Sequence, residues 1–190
     1  MHHGLTASQT IGPFFHEDHL PVAWATMARE RTMGERITLE ARLVDGAGEP
    51  VAGATVEIWQ ANAAGRYDHP EDLQDKPLDP AFHGFGRCLS DQDGIVRFRT
   101  ILPGPVPGRG NSLQAPHVSL SIFARGLLNR LATRIYFEGN PLNEADPVLS
   151  RLPDEAARRS LLARPRGGRP PVWRIDICLQ GADETVFFEV

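Results

Sequence analysis

Strict alternation of apolar and polar residues is the feature that most restricts how this chain can fold. Ile37, Leu39, Ala41 and Leu43 alternate with polar residues. Neighbouring side chains of a β-strand point to opposite faces, so this spacing predicts a strand with one buried face. Similar segments predict six or more strands, at residues 36–43, 54–59, 117–123, 131–137, 173–179 and 185–190, with another beginning at Val96.

Turn-forming residues separate these segments. The chain has 18 glycines and 16 prolines among 190 residues, above the roughly 12% of average usage. One helix is predicted at residues 153–163, because Pro153 suits a first helical turn and Asp154 and Glu155 favour its positive end. Residues 61–90 and 102–110 are predicted to be irregular. The fold class is therefore all-β: a β-sandwich of mixed strands with long loops, an N-terminal arm and one short helix.

The length of the chain suggests one domain with a sizeable core. Residues 1–35 show little periodicity and are predicted to form an arm that is ordered only where it packs on something. Residues 36–190 are predicted to form the β-sandwich domain.

Charge and cysteine content exclude several classes of function. The net charge is −4, whereas nucleic-acid binding needs a concentrated basic face. Cys88 and Cys178 are ninety positions apart and show neither metal-type spacing nor a disulfide framework. The sequence has no signal peptide and no apolar run of membrane length. We therefore expect a reduced, cytoplasmic protein that binds neither nucleic acid nor membrane.

Few residues are candidates for chemistry on local grounds. The two tyrosines are Tyr67 and Tyr136. Tyr67 is interpreted either as a loop anchor or as a ligand, and His117, at a strand start, either as a structural histidine or as a ligand. Arg125 follows a strand end and is either solvent-facing or functional. A metal site normally needs three or four converging ligands, so none of these residues predicts one alone.

Short runs spread along the chain carry a family resemblance. They are Asn62-Ala63-Ala64-Gly65-Arg66-Tyr67, Leu78-Asp79-Pro80-Ala81-Phe82, Gly84-Phe85-Gly86-Arg87, Phe98-Arg99-Thr100-Ile101 and Tyr136-Phe137-Glu138-Gly139. In this order they resemble the intradiol ring-cleavage dioxygenases, over nearly the whole chain. Catalytic chains of that family hold Fe(III) with two tyrosines and two histidines, and the metal activates a catechol as Lewis acid and template.

The resemblance identifies the four ligand positions, and two of them have lost their ligand. The first tyrosine falls on Tyr67 and the first histidine on His117. The second tyrosine of a Gly-Pro-Tyr-Pro stretch is replaced by Val106, and the second histidine of a His-x-His pair by Ser119. Tyr136 lies on another strand, in a motif that the family does not use for iron. We therefore expect no tight iron binding by this chain alone.

Two segments resemble the alpha chains of the protocatechuate-cleaving members, which carry no iron. They are residues 114–126 and 181–190, whereas residues 66–99 are closer to the catalytic beta chains. The resemblance implies a homologous beta chain that holds Fe(III) and receives the arm, in a higher-order alpha–beta oligomer. It also implies cleavage of 3,4-dihydroxybenzoate with O2, between the two hydroxyl carbons, to 3-carboxy-cis,cis-muconate.

By the same resemblance, Thr10, Phe14 and Arg125 are expected to line the substrate pocket at the alpha–beta interface. Arg125 suits a fixed cation beside the substrate carboxylate. Two alternatives stay open: a self-sufficient intradiol enzyme with altered ligands, and a non-catalytic β-sandwich binding module, which the generic strand–turn segment at residues 45–54 also resembles.

Overall fold

The computed structural model describes residues 22–189. They form a 3-10 helix (Val22–Ala25), ten β-strands, one α-helix and two further 3-10 helices (Pro141–Ala145 and Leu149–Arg151). The strands are β1 (Arg36–Val44), β2 (Thr55–Gln60), β3 (Phe85–Leu89), β4 (Ile95–Ile101), β5 (Val106–Pro107), β6 (Leu113–Gln114), β7 (His117–Phe123), β8 (Leu131–Phe137), β9 (Leu162–Pro165) and β10 (Val172–Cys178), and the helix α1 is Glu155–Arg159.

Eight strands form one sheet in the order β3-β2-β7-β8-β9-β10-β1-β4, and β5 pairs with β6. The β1–β10 and β8–β9 pairs are parallel, and the other pairs are antiparallel. The short strand β9 joins the two halves of the sheet. The outermost strands, β3 and β4, are joined by a turn at residues 91–94. This arrangement confirms the predicted all-β, sandwich-like class with mixed strands.

The apolar faces of the strands meet in one core. Ile37, Leu39, Ala41 and Leu43 are all buried, as their alternation predicts, and they pack with the inward residues of β2, β4 and β7. Each fully buried aliphatic side chain stabilises the fold by about 1.5–3 kcal/mol. A smaller cluster of Ala115, Tyr136, Leu149 and Leu161 lies beside the start of β7.

The helix is shorter than predicted, because its predicted C-terminal end pairs as a β-strand. The helix α1 covers Glu155–Arg159 only, with the side chain of Asp154 accepting a hydrogen bond from the Ala157 N–H at 2.8 Å. The predicted continuation to residue 163 is wrong, because Leu162–Pro165 form β9 and pair with both β8 and β10.

Three other predicted boundaries also differ. The segment 61–90 contains β3, and 102–110 contains the two-residue strand β5, so neither is irregular throughout. Residues 185–189 are not a strand, although the Phe188 N–H donates to the Ala132 carbonyl at 2.8 Å.

The described part of the predicted arm lies against the sandwich of its own chain. The Met27 N–H donates to the Arg99 carbonyl at 2.9 Å, and the Met27 side chain is buried in the core. Trp24 packs edge-on against Phe85 with ring centroids 5.8 Å apart. Packing of the arm on a partner chain stays a prediction. None of the helices in residues 22–189 is long and apolar enough to span a membrane.

Candidate functional site

One cavity collects all four of the positions that the family resemblance singled out. Its volume is about 660 Å³, and its lining includes Tyr67, Val106, His117 and Ser119. These residues come from a loop after β2, from β5 and from one face of β7, and they are up to 52 positions apart in the sequence. The fold therefore brings together the residues that the sequence analysis grouped, including Val106 and Ser119, which stand at the two positions that have lost their ligand.

The loop that carries Tyr67 is shaped by side-chain hydrogen bonds. The Asn62 side-chain oxygen accepts from the N–H groups of Ala64 and Arg66, at 2.9 and 3.0 Å. The Tyr67 N–H donates to the Asp72 carboxylate at 2.7 Å. The Tyr67 ring stacks on Trp59 with centroids 5.8 Å apart and planes at 10°. Tyr67 is thus both the loop anchor and the only retained tyrosine of the four positions.

A second set of contacts ties this loop to the strand β5. Gly65 has a φ of +80° and lies against the Pro105 carbonyl, where a Cβ would collide. The Lys76 Nζ donates to the carbonyls of Gly65 and Pro105, at 3.2 and 2.9 Å. Val106 is therefore held beside the tyrosine loop, in the place that the family pattern gives to the second phenolate.

His117 is fixed as a neutral imidazole. Its Nδ1 lies 2.8 Å from the Ala115 carbonyl, and because a carbonyl only accepts, Nδ1 carries the proton and Nε2 is the acceptor. Burial, reinforced by the positive charge of Arg134, lowers the pKa of His117 to about 4. Ser119 shares the same face of β7, two residues on.

Arg134 is a charged residue of the cavity that the sequence analysis did not predict. The register of β7 and β8 places Arg134 opposite Ser119 and Tyr136 opposite His117. The Arg134 Nη1 donates to the Gln114 side-chain oxygen at 2.7 Å and to the Tyr136 hydroxyl at 3.3 Å. Both acceptors are uncharged, and within residues 22–189 no salt bridge neutralises Arg134. The sequence signal that could have identified it is a single charged residue within the mostly apolar strand β8.

Tyr136 does not replace the missing tyrosine. It is fully buried, and its hydroxyl donates to the Asp146 carboxylate at 3.2 Å while it accepts from Arg134. Burial raises the pKa of Tyr136, so its phenol stays protonated at neutral pH. Its hydroxyl is used to hold Arg134 rather than to ligate.

The residues around this cavity do not fit a four-ligand ferric site. Val106 offers no donor atom, and Ser119 offers only a hydroxyl. Burial raises the pKa of Tyr67, which disfavours the phenolate that Fe(III) requires. Among residues 22–189, no group of three His, Cys, Asp or Glu side chains is placed to hold a metal ion. The Arg134 guanidinium repels a cation, although Glu71 and Asp72, which also line the cavity, attract one.

Of the other predicted pocket residues, the structure describes Arg125. Arg125 is exposed in the turn after β7, eight residues beyond His117, which corresponds to roughly 25 Å along an extended strand. It does not line the cavity described above. Thr10 and Phe14 lie outside the described residues. The expectation that Thr10, Phe14 and Arg125 line a substrate pocket at an interface stays a prediction.

Comparison with known proteins settles the family. Residues 11–170 match the Dioxygenase_C family, described as Dioxygenase. This chain belongs to the intradiol ring-cleavage dioxygenase family. It is 36% identical to the protocatechuate 3,4-dioxygenase alpha chain of Burkholderia cepacia, over 97% of each chain. It is also 39% identical to the beta chain from the same organism, over 94% of this chain and 77% of that one.

The solved structures agree with this assignment. The dioxygenase domain of a carbohydrate-binding fusion protein from Streptomyces sp. SirexAA-E superposes with a TM-score of 0.64 at 28% identity, over 92% of this chain and 97% of that chain. The predicted resemblance to intradiol dioxygenases and to their alpha chains is therefore confirmed. Members of the family depend on Fe(III), and similarity to both kinds of chain leaves open which subunit holds it.

Proposed function

We propose that this chain is the iron-free alpha subunit of a protocatechuate 3,4-dioxygenase. In this proposal a homologous beta chain holds Fe(III), and the assembled enzyme cleaves 3,4-dihydroxybenzoate with O2 between the hydroxyl carbons to give 3-carboxy-cis,cis-muconate. The observation that carries the proposal is the composition of the cavity. At the four ligand positions it has one phenol, one imidazole, a valine and a serine, and Arg134 lies opposite the serine.

Coordination chemistry explains why this composition argues against resident iron. Stable transition-metal sites need three or four converging donors, and only two of the four family positions keep their ligand. His69, Glu71 and Asp72 also line the cavity, but among residues 22–189 no three His, Cys, Asp or Glu side chains converge on one point. The imidazole of His117 is available as an acceptor, but Tyr67 would have to lose its proton in a buried setting. The Arg134 charge adds a repulsion that grows as the local dielectric constant falls.

The relatives support a subunit role. Alpha chains of Burkholderia cepacia and Pseudomonas putida match 97% of this chain, at 36% and 34% identity. The beta chain of the Burkholderia cepacia enzyme is also homologous, which favours an alpha–beta partnership between related sandwiches. We place the complex in the cytoplasm, where the free thiols of Cys88 and Cys178 stay reduced.

Within this proposal, the chain completes the iron pocket of its partner. Arg125 is exposed in the turn after β7, which leaves its guanidinium able to meet a substrate carboxylate across an interface. Thr10 and Phe14 are proposed to reach the same pocket from the N-terminal arm. The chain would thus provide a positive charge beside the substrate carboxylate and one wall of the pocket, while the partner holds the metal.

Purification of the full chain, alone and together with its beta homologue, tests the proposal. Alone, we expect substoichiometric iron, no visible tyrosinate–iron absorption band and no O2 uptake with 3,4-dihydroxybenzoate. Together, iron should reach about one per alpha–beta pair and O2 uptake should appear. One iron per chain in the protein purified alone, with the coloured band, contradicts the proposal.

A self-sufficient intradiol enzyme with altered ligands is the second candidate. The 39% identity to a beta chain and the convergence of all four ligand positions on one cavity favour it. It requires Fe(III) bound through Tyr67 and His117. Activity of the chain alone, abolished by Tyr67→Phe, would select this candidate.

A further inference from the structure

The cavity has features of a ligand site that works without a metal. We propose that it binds an aromatic monocarboxylate that carries a ring hydroxyl, as a hydroxybenzoate does. Its volume of about 660 Å³ lies within the 300–1,000 Å³ typical of small-molecule sites. The inference stands on the side chains of this cavity and does not depend on assembly with a beta chain.

Arg134 supplies the charge that such a ligand needs. Its guanidinium is half-buried and is oriented by the Gln114 side chain and the Tyr136 hydroxyl. Because both are neutral, the positive charge is left for a ligand. A planar guanidinium binds a carboxylate through charge-assisted and often bidentate hydrogen bonds. Gln114 and Tyr136 thus pre-position the guanidinium at the cavity.

The walls suit a flat ring. Trp59 and Tyr67 are stacked side by side and both line the cavity, as do the apolar Val106 and Pro107. Aromatic rings pack well against such surfaces in offset or edge-on arrangements. In this respect the replacement of a ligating tyrosine by Val106 adds apolar surface.

Polar groups in the same cavity match a ring hydroxyl. His117 has its proton on Nδ1, bonded to a carbonyl, so its Nε2 accepts a hydrogen bond from a phenol. Ser119 adds a hydroxyl that donates or accepts. An accepting Nε2 beside the Ser119 hydroxyl suits a ligand hydroxyl at this end of the cavity.

Acidic residues at the same cavity limit the ligand to one negative charge. Glu71 and Asp72 also line it. Asp72 is partly occupied, because it accepts from the Tyr67 N–H at 2.7 Å and from the Gln74 side chain at 3.0 Å. A tricarboxylate such as the ring-opened product would face these carboxylates with a single arginine to balance it.

Titration of the chelator-treated full chain tests this inference. Calorimetry and Trp fluorescence are followed with 3,4-dihydroxybenzoate and with its neutral amide, 3,4-dihydroxybenzamide. We expect the acid to bind at least about tenfold more tightly than the amide. Arg134→Gln should reduce binding of the acid to the level of the amide. Arg42→Gln is the matched control, since Arg42 is a half-buried strand arginine outside the cavity, and it should leave binding within about twofold.

Each outcome of these titrations either supports or overturns the proposed carboxylate site. Equal binding of acid and amide, unchanged binding in Arg134→Gln, or binding of the acid only after Fe(III) is added overturns the inference. The acid–amide comparison uses the unmodified chain, so it decides even if Arg134→Gln fails to fold. Iron content, measured on the same preparation before chelation, tests the proposed subunit function separately.

Discussion

Asp146 is the centre of a buried network that sets the position of the cavity lining, so Asp146→Asn should be strongly destabilising. The carboxylate is fully buried. It accepts hydrogen bonds from the N–H groups of Ala115 at 2.8 Å, Val148 at 2.8 Å and Leu149 at 2.9 Å, and from the Tyr136 hydroxyl at 3.2 Å. Asparagine has one accepting oxygen, so its NH2 group would face a backbone N–H.

The magnitude follows from these contacts. Loss of a hydrogen bond to a charged group costs about 1.5–3 kcal/mol, and an unsatisfied buried donor costs about 1–3 kcal/mol. Allowing for overlap between the two effects, the free energy of unfolding should fall by about 3 kcal/mol. For a chain of this size that lowers Tm by roughly 6–12 °C. Urea unfolding followed by circular dichroism measures the change directly.

The same substitution at Asp154 is the matched control. Asp154 is exposed and caps α1 by accepting from the Ala157 N–H at 2.8 Å. Asparagine is about as good an N-cap as aspartate, so Asp154→Asn should change stability by less than about 0.5 kcal/mol. If Asp146→Asn is equally mild, the carboxylate does not organise this region, and the reasoning about the fixed positions of His117 and Tyr136 is refuted.

Three further predictions concern the site. In the assembled enzyme, Arg125→Ala should raise KM for 3,4-dihydroxybenzoate by about 10–100-fold, the loss of one charged hydrogen bond, with unchanged iron content; a fall in iron would contradict this. Val106→Tyr with Ser119→His should restore partial iron binding, and adding Arg134→Gln should increase it, as measured by iron per chain; a triple variant that binds no more iron than the double variant would show that the guanidinium does not oppose the metal. Since the pKa of His117 is about 4, below its unfolded value of about 6.5, the unfolded chain takes up this proton first, so stability should fall by about 3 kcal/mol between pH 6.5 and 4. Titration of the His117 ring by NMR with a midpoint above 6 would refute the last prediction.

Strands with strict alternation were predictable to within about a residue. The second strand was predicted at residues 54–59 and is Thr55–Gln60, because burial of one face leaves a single register that keeps Val56 and Ile58 inside. Pairing partners were not predictable in this way. Leu162, Ala163 and Arg164 have high helix propensities, yet Leu162–Pro165 is the strand that joins the two halves of the sheet.

At the site, too, the residue pattern was predictable from the sequence and the strand pairing was not. Tyr67, Val106, His117 and Ser119 were grouped from the sequence through the family pattern, and the cavity contains all four. Arg134 was missed because alternation along β8 shows which face it shares with Tyr136 but does not say which strand lies beside it. The strand register, which sets Arg134 opposite Ser119, is what shows that the Arg134 guanidinium lines the cavity.

Under the proposed function, the arrangement around Arg134 adds an electrostatic obstacle to iron binding beyond the two replaced ligands. Glu71 and Asp72 also line the cavity and attract a cation, but Asp72 already accepts hydrogen bonds from the Tyr67 N–H and the Gln74 side chain. Here burial and the charge of Arg134 keep the retained imidazole neutral, and the guanidinium is covalently part of the chain. The fixed positive charge of Arg134 attracts anions whether or not a metal is present. It also repels an incoming cation. In this proposal the guanidinium is a permanent positive charge where the catalytic chains hold a metal, which suits binding of a carboxylate and leaves the Lewis acid for ring cleavage to the partner chain.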